Sequence, residues 1–328
     1  MEVVDYYPFC FKEEYAQFSL SRQKGKPLKS KIAYIIRHLL ALRNKKKRCK
    51  AFNDFLNSLP LTKQQYNELT TPPEGFDALF FGSDQIWNPL LTKGKDKIFC
   101  GNFEKNNCKF ISYAASTNPQ ILNDEYREYF TGIVKRFNSI SIRENSLCNY
   151  LNTISPSCSR VVLDPVLLLS KDDWSKIAIK PKEENYLLIY TVPQSNKVWE
   201  MARMIAKEKG LRIVEIRPYA EPGNSKNIMR HASPQQFIGY FKHASYIVTT
   251  SFHGTAFSLK FEKEFVTLKF GSAVDDRANN LLKSVGIEER MVSIGSLQIP
   301  NKEINYSVVT PKLEEQIEIS NKFIVESL

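Results

Sequence analysis

Histidine is scarce in this chain of 328 residues, with four positions: 38, 231, 243 and 253. The six cysteines (Cys10, Cys49, Cys100, Cys108, Cys148, Cys158) form no CxxC pair. Neither a redox dithiol nor a zinc site therefore has the spacing it needs, and the thiols read as small apolar side chains. No apolar run approaches the roughly eighteen residues of a membrane span, and the N-terminus lacks the basic, apolar, small-residue order of a signal peptide. These absences point to a soluble cytoplasmic protein with no metal centre. Acidic residues are missing from one stretch in particular. Between Arg22 and Lys50 there are twelve Lys or Arg and no Asp or Glu, so this segment carries the whole net charge of +11. Tyr34 is the only aromatic residue in that stretch, so a nucleic-acid partner is not expected. Two readings stand. One is a solvated basic face on helices whose apolar side, Ile32, Ile35, Ile36, Leu39 and Leu40, packs inward. The other is a surface that rests on an anionic membrane.

With 42% apolar and 12% aromatic residues, the chain can bury real cores, and its length allows two domains. Strand-like and helix-period runs alternate. EVVDYY (2–7), FDALFFG (76–82), KFISYAAS (109–116), SISIR (139–143) and RVVLD (160–164) read as strands. Helices are expected over PLKSKIAYIIRHLLALRNKKK and FNDFLNSL and near 122–137 and 144–151. After a polar stretch at 171–185, read as a connection, YLLIYTV, RIVEIRP, YIVTTS and FVTLKF read as strands. They alternate with helices at 195–209, 233–242, 255–262 and 275–285. This order predicts parallel sheets covered by helices, in two Rossmann-like domains over 1–170 and 186–310 with a cleft between them. The first domain includes the basic helical segment 22–58. A last helix, 311–328, is expected to pack back on the first half.

In open α/β sheets ligands bind beyond the carboxyl ends of the strands, and polar residues gather there. GSDQIWNP (82–89) offers Ser83, Asp84 as acceptor or base, Gln85 and Asn88 as hydrogen-bonding groups, and Trp87 as a wall for a sugar. By chemistry alone it reads rather as an Asx turn, with Trp87 buried and Pro89 ending the loop. Ser116 follows the next strand. Arg143 follows SISI, either as a fork for a carboxylate or phosphate or as an ion pair with an acid at a helix start. Asp164-Pro165 reads as a strand stop. In the second half YIVTT runs into Ser251-Phe252-His253-Gly254-Thr255. There, free N–H groups at a helix start would form an anion site, Gly254 would let a ligand approach, and Ser251 and Thr255 would cap or donate. His253 reads either as an acid/base group or as a partly buried helix cap. Lys269 and Arg277 add cations nearby.

Taken together, GSDQIWNP, ISYAAS (111–116), SIREN (141–145), VLDPVLLL (162–169) and TTSFHGTAFSL (249–259) resemble the polysaccharide pyruvyl transferase family, in family order. The resemblance implies two Rossmann-like domains of the GT-B kind. It also implies transfer of a pyruvyl group from phosphoenolpyruvate to two hydroxyls of a sugar as a cyclic ketal, with no cofactor or metal. The acceptor sugar would be lipid-linked, which places the basic segment 22–50 at the inner face of a membrane. His253 would be the acid/base group, Arg143 and Arg277 the anion grip, and Asp84, Gln85 and Asn88 the sugar contacts. The chain departs from the family in two places. Phe252 stands where many members have Arg, so Arg143, Arg277 or Lys269 must replace that guanidinium. The opening strand looks like the family's second, as in a truncated or reduced first domain lacking its first β-α unit. The alternatives are a GT-B glycosyltransferase using a nucleotide-sugar, for which Glu215 is the one candidate ribose ligand, and an inactive membrane-associated subunit of polysaccharide assembly.

Overall fold

The computed structural model of the chain describes residues 1–6, 24–66, 74–92, 94, 96–104, 107–192, 195–223, 225–271, 275–296 and 299–328. Cys10, Arg22 and Tyr7 of the opening strand lie outside the described residues. The first half contains β1 (Val3–Tyr6), α1 (Leu28–Leu56), β2 (Leu61–Tyr66), β3 (Ala78–Phe81) and the short α2 (Pro89–Thr92). It continues through β4 (Lys109–Ala115), α3 (Arg127–Arg136), β5 (Ser139–Ile142), α4 (Asn145–Ile154) and β6 (Arg160–Val161). Strands β3, β4, β5 and β6 lie side by side in chain order, all parallel. Their core holds Trp87, Phe110, Phe130 and Ile142, each fully buried. Strands β1 and β2 pair with each other in a separate ribbon.

Two short helices, α5 (Pro165–Leu168) and α6 (Lys171–Ile177), lead to the second half. The polar stretch read as a connection is therefore partly helical: Ser170 caps α6, and Trp174 packs edge-on against Phe257. The second half runs β7 (Tyr186–Tyr190), α7 (Asn196–Lys209), β8 (Arg212–Ile216), β9 (Ile228–Met229), α8 (Pro234–His243) and β10 (Tyr246–Thr249). It continues with α9 (Phe252–Lys260), β11 (Phe265–Lys269), α10 (Asp276–Val285), β12 (Met291–Ser293) and α11 (Tyr306–Ser327). The sheet order is β12-β11-β10-β7-β8-β9, all parallel. The chain is thus a mixed α/β protein built on parallel sheets. Helix α11 straps the halves together. Val309 and Leu313 enter the second core, Phe323 lies against Ile111 and Tyr113 of β4, and Ser320 accepts from the Leu163 N–H at 2.9 Å.

Helix α1 departs from expectation in two ways. It is one continuous helix where two were expected, and Ile32, Ile35, Ile36, Leu39 and Leu40 face outward among the described residues. Polar contacts with the second half decide the docking face instead. Asn44 donates to the carbonyls of Glu221 and Gly223 at 2.8 and 3.0 Å, and Arg37 pairs with Glu221. At 100° per residue these contacts turn Ala41 inward, and the Ile/Leu stripe falls on the far side.

Candidate functional site

Strand β10 is buried along its length between β7 and β11, so its carboxyl end is placed at the middle of the sheet. The chain turns there around Thr249, whose hydroxyl donates to the Tyr190 carbonyl at 2.7 Å and accepts from the Ser251 N–H at 3.1 Å. Helix α9 begins at Phe252, three residues before the expected start, and the Thr255 N–H already bonds the Ser251 carbonyl at 3.0 Å. The N–H groups without a helical partner are therefore those of Phe252, His253 and Gly254. Gly254 serves packing rather than ligand approach: a Cβ there would lie 2.0 Å from Thr249 Oγ1. Thr255 is likewise committed, sharing a 2.7 Å hydrogen bond with Thr267 beneath the turn. His253, in the first turn, keeps 38% of its side chain exposed.

The facing turn is GSDQIWNP. It lies along the end of β4: the Asp84 carbonyl accepts from the N–H groups of Ser116 and Ile86 at 2.9 and 2.7 Å, and Asp84 bridges Ala115. Asp84 sits at φ 73°, a left-handed conformation that Asp tolerates better than most residues. Its carboxylate is 62% exposed and reaches Arg143, whose Nη2 donates to Oδ1 at 2.7 Å. Arg143 itself is buried, with 2% of its side chain exposed, and its Nη1 donates to Asp164 Oδ2 at 2.5 Å. Asp164 caps α5 through Oδ1 and lies 3.8 Å from His253 Nε2. Arg277, from α10, reaches Asp84 Oδ1 at 3.5 Å with 14% of its side chain exposed. The Phe252 ring lies under both guanidiniums, 5.2 Å from that of Arg143 and 5.9 Å from that of Arg277. Contacts of this kind are favourable and keep planar cations in place.

Burial and neighbours set the charges. For Arg143, burial opposes the cation, but Asp164 and Asp84 outweigh it and hold the guanidinium charged beyond its ordinary value. For Arg277 burial wins, aided by repulsion from Arg143, and its basicity falls below the ordinary value. It is the undercompensated cation of the cluster. Burial also depresses His253; Asp164 and Asp84 pull it back only in part, and the arginines push it further down, so the imidazole is neutral at pH 7. Burial raises Glu144, opposed by the Thr117 N–H and by Arg143. One Glu144 oxygen accepts from that N–H at 2.9 Å, and the Ser116 hydroxyl also favours the carboxylate.

A cavity of about 330 Å³ opens beside this network. Asp84, Gln85 and Leu91 line it from the first half, and Tyr190, Phe252, His253 and Arg277 from the second. A smaller hollow of about 180 Å³ adjoins it through Gln85 and Arg277 and reaches Asn88, Thr117 and Glu144. The sequence pattern of the polysaccharide pyruvyl transferases matches residues 3–270, which include both turns, while Arg277 of α10 lies beyond the matched stretch. The chain belongs to the polysaccharide pyruvyl transferase family. It is therefore a member of a transferase family, and the matched region ends at residue 270.

No curated protein matches this pyruvyl transferase family member. Among solved structures, S. aureus MnaA in complex with UDP aligns with a TM-score of 0.41 at 10% identity, covering 84% of this chain and 72% of that one. A putative UDP-N-acetylglucosamine 2-epimerase from Listeria monocytogenes gives 0.44 at 9% identity, covering 88% and 75%. A glycotransferase of kitacinnamycin gives 0.30 at 12% identity, covering 77% and 73%. These likenesses are too slight to carry an argument about this chain.

The turns bring Asp84, Arg143, His253 and Arg277 into one cluster and set other candidates apart. Trp87 is fully buried in the first core, its Nε1 donating to the Phe99 carbonyl at 2.9 Å, so it presents no stacking face. Asn88 is buried and donates to Gln85 Oε1 at 2.8 Å, which spends that contact inside the turn. Ser83 is half-buried in the same turn, and Ser251 lines the large cavity. Lys269 ends β11 outside the cavity lining. Glu215 is buried and pairs with Arg217 at 2.9 Å, away from both hollows. Two participants were missed. Asp164 was read as a strand stop and Glu144 as part of a helix start, although both stand at carboxyl ends of strands, the same signal that singled out Arg143.

Proposed function

We propose that this family member transfers a pyruvyl group from phosphoenolpyruvate to a sugar of a surface or capsular polysaccharide precursor, forming a cyclic ketal. The observation that carries the reading is geometric: His253 and Arg277 line one cavity, and Asp84 and Gln85 of the first half line it with them. Phosphoenolpyruvate brings about three negative charges, which need charged donors rather than a merely polar wall. Arg277 takes the carboxylate or phosphate. The unbonded N–H groups at the start of α9 add to it, and Arg143 supports it from behind the Phe252 ring. A proton added at the methylene carbon makes the adjacent carbon electrophilic. A sugar hydroxyl adds to that carbon and gives its proton to His253, and the imidazolium so formed supplies the proton that the methylene takes up, which leaves His253 neutral again. The bond from that carbon to the phosphate oxygen then breaks, and the electron pair leaves with phosphate. A second hydroxyl adds in its place and its proton leaves with phosphate. Donor and diol thus become ketal and inorganic phosphate, with no other reactant.

The test is phosphate release from phosphoenolpyruvate in the presence of soluble and lipid-linked galactosides. Release that depends on the sugar supports the reading. No release with any acceptor, or turnover that requires a nucleotide-sugar instead, overturns it.

The acceptor is proposed to be lipid-linked and met at an anionic membrane surface through α1. No helix among the described residues is long and apolar enough to cross a membrane, so the contact would be peripheral. On the outward face of α1, Ile32, Ile36, Leu39 and Leu40 are exposed, and Arg43, Lys46, Lys47 and Lys50 continue the same face. An apolar stripe followed by cations suits burial at the headgroup boundary, with about 1 kcal/mol from each Lys or Arg near anionic lipid. The protein is expected to float with phosphatidylserine vesicles at low salt and to be released at high salt. A protein that stays at the bottom of the gradient at low salt would end the membrane proposal and leave the chemistry untouched.

A further inference from the structure

Arg143 and Arg277 share this cluster with Asp84 and Asp164, so an anion that binds there meets guanidiniums already paired with carboxylates. Of the four ions, Arg143 and Asp164 are sealed in, with 2% and 1% of their side chains exposed, and Arg277 is only slightly open. Asp84 alone among them stands mostly in water. Its single Oδ1 serves both Arg143 and Arg277, and it lines the same cavity as Arg277 and His253. Its backbone is tied to the end of β4 by the Ser116 N–H and within its own turn by the Ile86 N–H, so the carboxylate can leave by side-chain rotation alone.

We infer that the Asp84 carboxylate is a built-in stand-in for the substrate anion: it fills the oxyanion position between Arg277 and Arg143 when the site is empty, and is displaced when the anion binds. The inference rests on the donor-site reading above and deepens it. Carboxylate replaces carboxylate or phosphate on the same guanidinium donors, so the exchange leaves no buried cation bare at either stage. Asp84 returns to water, where it already has most of its surface. The Phe252 ring lies within cation–π range of both guanidiniums and helps to hold them during the exchange. Without such a counter-ion, two arginines brought together across the cleft would repel each other in a poorly solvated place. With it, the closed pair is stable, and binding an anion becomes competition with an internal one.

The distinguishing measurement is calorimetric binding of inorganic phosphate and, separately, of phosphoenolpyruvate to the wild type, Asp84→Asn, Asp84→Ser and Arg277→Met. Both Asp84 variants retain short polar side chains that suit an exposed turn, and circular dichroism checks that each is folded. Asp84→Asn is expected to tighten phosphate by about tenfold or more, because a charge 3.5 Å from the vacated guanidinium is removed. Asp84→Ser should agree, and Arg277→Met should abolish the gain. Unchanged or weaker phosphate binding in both Asp84 variants overturns the inference, as does failure of phosphate to bind any form. If phosphate tightens while phosphoenolpyruvate binds none of the proteins, the stand-in role holds and the donor reading fails. If phosphoenolpyruvate binds the wild type well and the Asp84 variants poorly, the donor reading holds and Asp84 is a direct contact.

Discussion

Replacing His253 with Ala is expected to leave a folded protein whose transfer rate is lower by roughly 10²- to 10⁴-fold, the usual effect of removing a positioned acid or base. Folding should survive because the imidazole is part exposed at a helix start and its nearest charged contact, Asp164 Oδ2, is 3.8 Å away, beyond hydrogen-bond reach. The protonation state gives a second check. Burial and the two arginines hold His253 below its ordinary value, so it is free to accept a proton throughout the neutral range. Activity that needs the neutral form is lost only as pH falls through that depressed value. The acid limb of kcat/KM for the wild type should therefore lie below about 6.5, the ordinary histidine value, and should vanish from the residual activity of the Ala variant. A folded Ala variant with full activity would remove His253 from the chemistry. An acid limb above that value in the wild type would mean that the carboxylates, not burial, dominate its environment.

The two turns were legible because strands announce their ends. YIVTT and ALFF are runs of apolar and β-branched residues that stop at Ser251 and at the Gly82-Ser83 turn, and in a parallel sheet such stops share one edge. What each residue does there was less legible, since that depends on partners far away in sequence. Arg143 looks like an anion fork in SIREN, yet Asp164 and Asp84, 21 and 59 positions away, already occupy both of its terminal nitrogens. In GSDQIWNP Trp87 is buried and Asn88 bonds within the turn, while Asp84 and Gln85 line the cavity opposite the second half. Gly254 carries the same lesson: its lack of a side chain answers to Thr249 behind it rather than to a ligand in front.

Helix α1 shows the limit in its plainest form. Periodicity identified an apolar stripe, but not what it would meet, because the docking contacts are made by Asn44 and Arg37 with a loop nearly two hundred positions away. Strand β2, LTKQQY, was missed because lysine and glutamine are poor strand formers, and its pairing with β1 is what holds it. The two-residue β9 and three-residue β12 are too short to show a period. Pro311 suggested a helix start, but α11 begins five residues earlier and carries the proline inside.

The second large effect concerns stability. Arg143→Met leaves the buried Asp164 without its arginine partner, and Asp164→Asn takes from Arg143 its buried carboxylate partner. Breaking a buried pair by removing one partner costs about 3–5 kcal/mol. Each single variant is therefore expected to unfold at clearly lower urea than the wild type. Arg143→Met combined with Asp164→Leu removes both charges at similar volume, and such exchanges are often neutral or stabilising, so the double variant should regain most of the lost midpoint. Its activity should not return with its stability. Arg277 would lose the cation that shares Asp84 with it, and His253 would lose the carboxylate that supports its protonated form. Recovery of stability without recovery of turnover would separate the two duties of the pair. Single variants as stable as the wild type would show that the bond between them contributes little to the fold, and recovery of both properties would show that the network is structural only.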